Sequence, residues 1–348
     1  MKSLSVSVLV VLLAVAACGA DAHAQRRSPA AARHLKRGAA LLKRGDAAGA
    51  ESAFSAAIAA APRDARAYYQ RGVAREKRKN AAGAAKDYRK AIALDRKLAQ
   101  AHNNLGAMLT EQRRYDEAIK HLRVAVREKP KYGEAWYNLG LSLFDKRRLK
   151  EAAAAYRHAA RLRPRDLDTR INLGGVLHRL GDVDGALRQL RIAIKLAPRD
   201  VLARTSYGRL LADKGKLQQG VAEIRKALRA KPSYERGWIQ LARVLVRAKR
   251  PDEAIRELQR GAKLLPRSCD LRVTIGKVYR KQGKIKRAIK AYRHCLRIDP
   301  KYHKAHLLLG LAYAASKQCK KANAAFRTYV RRARLPASAM KSLRKRCR

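Results

Sequence analysis

Aromatic residues are scarce in this chain. Two Trp, three Phe and fourteen Tyr amount to 5% of 348 residues, while 47% of the chain is apolar. Ala and Leu supply much of that, and both are strong helix formers. A small-residue core with few rings suits closely packed helices better than sheets. Acidic residues are also few: 27 Asp+Glu face 82 Lys+Arg, a formal charge of +55. Such an excess keeps a chain soluble and attracts polyanions of many kinds. No Gly-rich phosphate loop or Ser elbow is present. His294, His303 and His306 lack the tight paired spacing of a zinc site. No enzyme, cofactor or metal centre is therefore expected. The longest apolar run, residues 4–17, is shorter than the roughly 20 residues that span a bilayer.

That run instead matches the core of a signal peptide behind the single charge of Lys2. Two processing readings compete. Val15-Ala16-Ala17-Cys18 resembles a bacterial lipoprotein box, which would remove residues 1–17 and lipidate Cys18. Ala22-His23-Ala24 resembles a small-x-small cleavage site, which would remove residues 1–24. Both imply export to the periplasm or outer membrane of a Gram-negative bacterium, or secretion. Membrane contact is expected only through a lipid at Cys18. Four further cysteines cluster toward one end, and an oxidising compartment favours pairing them. Cys269–Cys295 and Cys319–Cys347 are the expected disulfides.

A period of 34 dominates the chain from residue 31. Column 8 reads Gly38, Gly72, Gly106, Gly140, Gly174, Gly208, Ala242, Gly276, Gly310. Column 20 is Ala in every row but one, where Gly220 stands. Column 24 is large: Phe54, Tyr88, Leu122, Tyr156, Leu190, Ile224, Leu258, Tyr292, Phe326. Seven rows carry Pro at column 32. These columns resemble the tetratricopeptide repeat family. The resemblance implies an all-α, right-handed superhelical solenoid of nine helix-turn-helix repeats. The rows are 31–64, 65–98, 99–132, 133–166, 167–200, 201–234, 235–268, 269–302 and 303–336. A basic capping helix is expected over 337–348. Helix A should cover about columns 2–14 and helix B about columns 17–30. Small residues at columns 8, 20 and 27 let the two helices cross closely, and turns with Gly45 and Gly181 end helix A. One pair cannot bury its apolar face alone, so neighbours stack.

Two faces could carry binding. The first is the groove lined by helix A. Column 6 holds Asn104, Asn138 and Asn172, whose side chains can donate to and accept from the backbone of an extended peptide. This is similar to the Asn ladder in the repeats of O-linked N-acetylglucosamine transferase. Asn103, Tyr69, Tyr137 and Phe144 also approach the groove, and the rings could anchor a partner. The Lys needed for the family's carboxylate clamp is missing from column 5, which argues against a chaperone-tail adaptor. The second face is a cationic stripe on helix B. It includes Arg89, Arg123, Arg157, Arg191 and Arg225 at column 25, with Arg127, Arg161, Lys195 and Arg229 at column 29. Residues four apart share one helix face. The expected function is a non-catalytic protein-interaction scaffold of the cell envelope, as a monomer or within a larger assembly. The alternative is binding of a polyanion, such as anionic lipid, lipopolysaccharide, acidic polysaccharide or nucleic acid, through the stripe. Exported repeat lipoproteins of type IV pilus assembly are similar in layout.

Overall fold

The computed structural model describes residues 28–336 and 338–344. These residues form 19 α-helices and no strand. Unit one contains α1 (Pro29–Lys43), α2 (Ala47–Ala60), α3 (Ala65–Lys77), α4 (Ala81–Leu94), α5 (Ala99–Glu111), α6 (Tyr115–Glu128), α7 (Gly133–Asp145) and α8 (Leu149–Leu162). Then come α9 (Leu167–Arg179), α10 (Val183–Leu196), α11 (Val201–Asp213), α12 (Leu217–Ala230), α13 (Glu235–Arg247) and α14 (Pro251–Leu264). The last are α15 (Cys269–Lys281), α16 (Ile285–Ile298), α17 (His303–Ala315), α18 (Cys319–Arg332) and α19 (Ser338–Arg344). The chain divides into two compact units between Thr169 and Arg170, inside α9. The 34-residue period gave no sign of this division, because it continues unbroken through α9. In each unit the helices of a pair pack together, and the second packs on the first helix of the next pair. Among the described residues no helix is long and apolar enough to cross a membrane.

Helix B covers columns 17–30 as expected. Helix A runs over columns 1–13 from the second repeat onward, one residue earlier than the expected 2–14. The reason lies in the turn. Column 15 has a positive φ in all nine rows. Gly45, Gly181, Gly215 and Gly283 adopt it freely, but Lys79, Arg113, Arg147, Lys249 and Lys317 adopt it too, at φ of 55° to 64°. The column 16 N–H then donates to the carbonyl at column 11, as from Arg114 to Leu109 at 2.8 Å. The column 15 N–H donates to column 12, as from Arg113 to Thr110 at 2.9 Å. This is a Schellman closure, which satisfies the last carbonyls of helix A. It holds lysine and arginine in a left-handed conformation that costs roughly 1 kcal/mol without glycine.

The glycines of column 8 answer to column 24. A Cβ on Gly72 would lie 2.6 Å from the Tyr88 ring, and one on Gly140 would lie 2.8 Å from Tyr156. The large side chain of helix B therefore rests directly on the backbone of helix A. Tyr88, Tyr292, Phe54 and Phe326 are fully buried there. Column 20 is the reverse contact. Ala50, Ala84, Ala118, Ala152, Ala186, Ala254, Ala288 and Ala322 have no exposed surface. At Gly220 a Cβ would meet the Gly208 carbonyl oxygen at 2.5 Å, so this crossing alone requires glycine on both helices.

Column 4 supplies a device that the pattern did not announce. Trp136 Nε1 donates to the Pro130 carbonyl at 2.8 Å, and Trp238 Nε1 donates to that of Pro232 at 2.9 Å. His102 and His306 pair their Nε2 with the carbonyls of Arg96 and Pro300. Each ring ties helix A to the residue at column 32 before it, six positions back. The scattered histidines are partly explained by this role. Trp238 also needs Gly261, where a Cβ would lie 2.7 Å from the indole.

Ser28 caps α1 by accepting from the Ala31 N–H. Arg37 is exposed on that terminal helix, while Leu105, Leu139, Leu173, Leu241 and Leu309 are buried at the same column. At the other end α19 packs on α18, with Met340 and Leu343 half-buried.

Candidate functional site

On the A-helix face of unit one, α3, α5 and α7 bring three of the four predicted asparagines into one chain of hydrogen bonds. Asn138 Nδ2 donates to Asn103 Oδ1 at 2.9 Å, and Asn103 Nδ2 donates to Asn104 Oδ1 at 3.2 Å. Asn104 Nδ2 donates to the Tyr88 hydroxyl at 3.1 Å, which donates to Glu76 Oε2 at 2.6 Å. Every link runs the same way and ends on a carboxylate, so the bonds polarise one another. Burial, and then Glu76, push the Tyr88 hydroxyl well above its ordinary pKa, so it stays a donor.

This arrangement corrects one expected role. Asn103 is 1% exposed, and its second amide proton goes to the Tyr132 hydroxyl at 3.2 Å. It positions its neighbours and offers no surface to a partner. Asn104 and Asn138 are half-buried, and Asn138 Oδ1 takes no part in the chain of bonds. Tyr69 and Tyr137 lean on the column 24 rings of their own repeats, Tyr88 and Tyr156, at centroid distances of 6.0 and 5.8 Å. Both remain half-buried, as does Phe144 on α7. Glu76, Glu111, Glu134 and Asp145 are exposed, so this face carries carboxylates.

The A-helix face of unit two differs. Asn172 on α9 is half-buried, and the Thr274 hydroxyl turns back to the Asp270 carbonyl at 2.7 Å. Between α13 and α15 lies a cleft of about 410 Å³. Val246 and Val278 line it along with Ala242, and its charged lining residues are Arg243, Arg247, Lys277 and Lys281. No carboxylate lines it. The signal was present at column 9, which turns from Val73, Ala107 and Leu141 to Arg209, Arg243 and Lys277. Column 6, with its asparagines, does not show this change.

The helix B stripe is exposed along both units. Arg89, Arg157, Lys195 and Arg229 make no salt bridge among the described residues and face solvent. Others have partners. Arg123 pairs with Glu151 at 2.9 Å, Arg127 with Glu128 at 2.8 Å, and Arg161 bonds His158 at 2.9 Å. Arg191 donates to the Tyr207 hydroxyl at 3.3 Å. Arg225 departs from the stripe: it is half-buried and bonds Glu253 and Glu257, so its charge is neutralised within the protein. The Cys269 and Cys295 sulfurs stand at bonding distance, with Cα atoms 4.8 Å apart. Cys319 is half-buried at the start of α18. Its expected partner Cys347, the lipidation candidate Cys18 and the proposed leader lie outside the described residues.

Two family profiles match the chain. One, described as tetratricopeptide repeat, covers residues 35–99, 82–133, 110–166, 171–235 and 213–268. The other, described as TPR repeat, covers residues 276–316. No curated protein matches the chain. Among solved structures it is similar to Pseudomonas aeruginosa PilF, with a TM-score of 0.54 and 20% identity, over 63% of this chain and 97% of that one. It is also similar to the Cut9–Hcn1 hetero-tetramer of the APC/C, with a TM-score of 0.50 and 20% identity, over 80% of this chain and 55% of that one. YrrB, described as a TPR protein with an unusual peptide-binding site, follows with a TM-score of 0.46 and 22% identity, over 52% of this chain and 94% of that one.

Proposed function

We propose that this chain, which belongs to the tetratricopeptide repeat family, is a non-catalytic scaffold of the bacterial cell envelope that grips an extended partner segment on its A-helix faces. Family membership supports protein or peptide binding in general. The observation that carries the finer reading is the cleft between α13 and α15, apolar at Val246 and Val278 and rimmed by Arg243, Lys277, Lys281 and Arg247, the last of which pairs with Asp213. It fits a segment that alternates acidic and apolar side chains. Like-charged neighbours repel less when such a segment sits among them. Unit one has its own candidate contacts on its A-helix face, the half-buried Tyr69, Tyr137 and Asn138, and unit two adds Asn172. Export, lipidation at Cys18, and the disulfides Cys269–Cys295 and Cys319–Cys347 belong to the same proposal. The mass of the mature protein tests the first two.

The binding test uses a fluorescein-labelled decapeptide of alternating Glu and Leu. Its affinity should fall at least tenfold in a Val246→Asp/Val278→Asp variant and persist in part at high salt. Equal affinity for the variant would reject the cleft. The exposed, unpaired Arg89, Arg157, Lys195 and Arg229 support the second reading, a polyanion on the helix B stripe. In that case binding falls steeply with salt, with a slope set by the number of charges neutralised. The Val246→Asp/Val278→Asp variant would then bind polyanion as before.

A further inference from the structure

On the opposite side of repeats seven and eight, α14, α15 and α16 line a second cleft of about 660 Å³ that is open to solvent. That size is typical of a small-molecule site. Arg272 on α15 lines it and is only 8% exposed. One guanidinium nitrogen, Nη1, donates to the Ser268 carbonyl at 2.8 Å, and Nε is buried with no partner. No carboxylate lines the cavity, and its mouth adds Lys263, Arg287, Lys290 and His294. A buried guanidinium without a counterion is costly, and such groups in native proteins call for an explanation.

The array contains its own control. Arg204 occupies the same column 4 in repeat six. Its Nε donates to the Pro198 carbonyl at 2.7 Å, and its Nη1 bonds Glu223 Oε2 at 2.6 Å. Glu223 stands at column 23. In repeat eight column 23 is Ala291, which lines the cavity. Exchanging a glutamate for alanine removes the internal counterion and leaves a cavity beside the arginine. We propose that the cavity binds a phosphate monoester, whose oxygens take the place that Glu223 fills beside Arg204. The surrounding lysines and arginine favour a dianion over a single carboxylate. Ile275 and Tyr279 provide an apolar wall for the body that carries the phosphate. The Cys269 and Cys295 sulfurs lie on the same two helices as Arg272 and His294, one turn and one residue away. A covalent tie there would hold the site's geometry. This inference is independent of the cleft between α13 and α15.

Phenyl phosphate, inorganic phosphate and vesicles of phosphatidylcholine with one-fifth phosphatidic acid are the probes, applied to the full chain. Isothermal titration should show phenyl phosphate binding more tightly than inorganic phosphate, because only it reaches the apolar wall. Two variants decide the question. Arg272→Met should weaken binding at least tenfold. Ala291→Glu should do the same while raising the thermal midpoint, since it restores an internal partner. The second variant cannot fail merely by unfolding. Arg272-dependent vesicle binding would assign the phosphate to a lipid headgroup, and its absence beside phenyl phosphate binding would assign it to a soluble ester. Phosphate bound equally by wild type and Ala291→Glu, or by neither, overturns the proposal.

Discussion

The two units build the same 34-residue repeat with different chemistry. In unit one, polar groups join one repeat to the next. Asp87 is 2% exposed and accepts a two-pronged bond from Arg71 at 2.8 and 2.9 Å. It also accepts from Arg75 at 2.9 Å, which reaches on to Glu51 in the repeat before. Thr110 and Ser142 share a buried bond of 2.6 Å across a repeat boundary. In unit two, repeats six to eight join through an apolar cluster that includes Ile224, Trp238, Leu241, Leu245, Leu258 and Leu271. Ion pairs run beside it, from Arg225 to Glu253 and Glu257, from Arg247 to Asp213 and from Lys284 to Asp252. All five buried side-chain polar atoms without a hydrogen bond among the described residues fall in this unit. They include Thr205 Oγ1, Arg272 Nε and Tyr292 Oη. The same architecture thus tolerates either joint. Polar joints demand that every group be matched, while apolar joints leave room for orphans and cavities. Both clefts described above open in the unit that holds this apolar cluster and the orphaned atoms.

The contrast can be broken experimentally, since each unit holds one tryptophan: Trp136 in the first and Trp238 in the second. Single Trp→Phe backgrounds then report urea unfolding unit by unit. Asp87→Ala should have the largest effect. It leaves Arg71 and Arg75 without their shared carboxylate, at a cost of about 4 kcal/mol to the first unit. The Trp238 transition should not move. Cys269→Ser should do the converse in oxidised protein. A link across 26 residues restricts the unfolded chain by about 3 kcal/mol, and that loss should fall on the second unit alone. Identical transitions with and without reductant would remove this disulfide from the account. The smallest contrast is the sharpest, because it concerns one column. Tyr88→Phe removes a bond to Glu76 and leaves Asn104 without its acceptor, costing about 1 kcal/mol. Tyr292→Phe deletes a buried hydroxyl that has no well-aligned partner and only the Arg280 guanidinium near it, so the loss should be smaller than at Tyr88. Equal losses at both positions would mean that the two column 24 hydroxyls do not differ as described.

Much of the fold was legible because sterics repeat with the period. Column 8 must be small wherever column 24 rests on it, and that requirement is visible in nine aligned residues. The division at Thr169 was not legible, since no composition shift marks it. The left-handed turn was only half legible. Gly45 and Gly181 advertised it, but Arg113 and Lys249 reach the same conformation under the closure of helix A. The binding face was read less well than the fold. Asparagines at column 6 suggested a row of free amides. The sequence could not reveal that column 5 places Asn103 between Asn104 and Asn138 and links them. Arg225 has the same origin, since a stripe defined by columns ignores that repeat seven alone has glutamate at both column 19 and column 23, as Glu253 and Glu257. Arg272 became significant only by comparison with Arg204, which requires knowing that columns 4 and 23 touch.

The ring tie at column 4 bears on how such arrays can be cut and rejoined. Trp136, Trp238, His102 and His306 each reach the carbonyl at column 32 of the row before. The exchangeable module therefore starts near column 32, not at column 1 where the written period begins. A graft cut at column 1 would carry the donor and take a foreign loop as its acceptor. One cut three residues earlier, before column 32, would move donor and acceptor together. Recombination that duplicates or deletes repeats would keep its joints intact only in the second register.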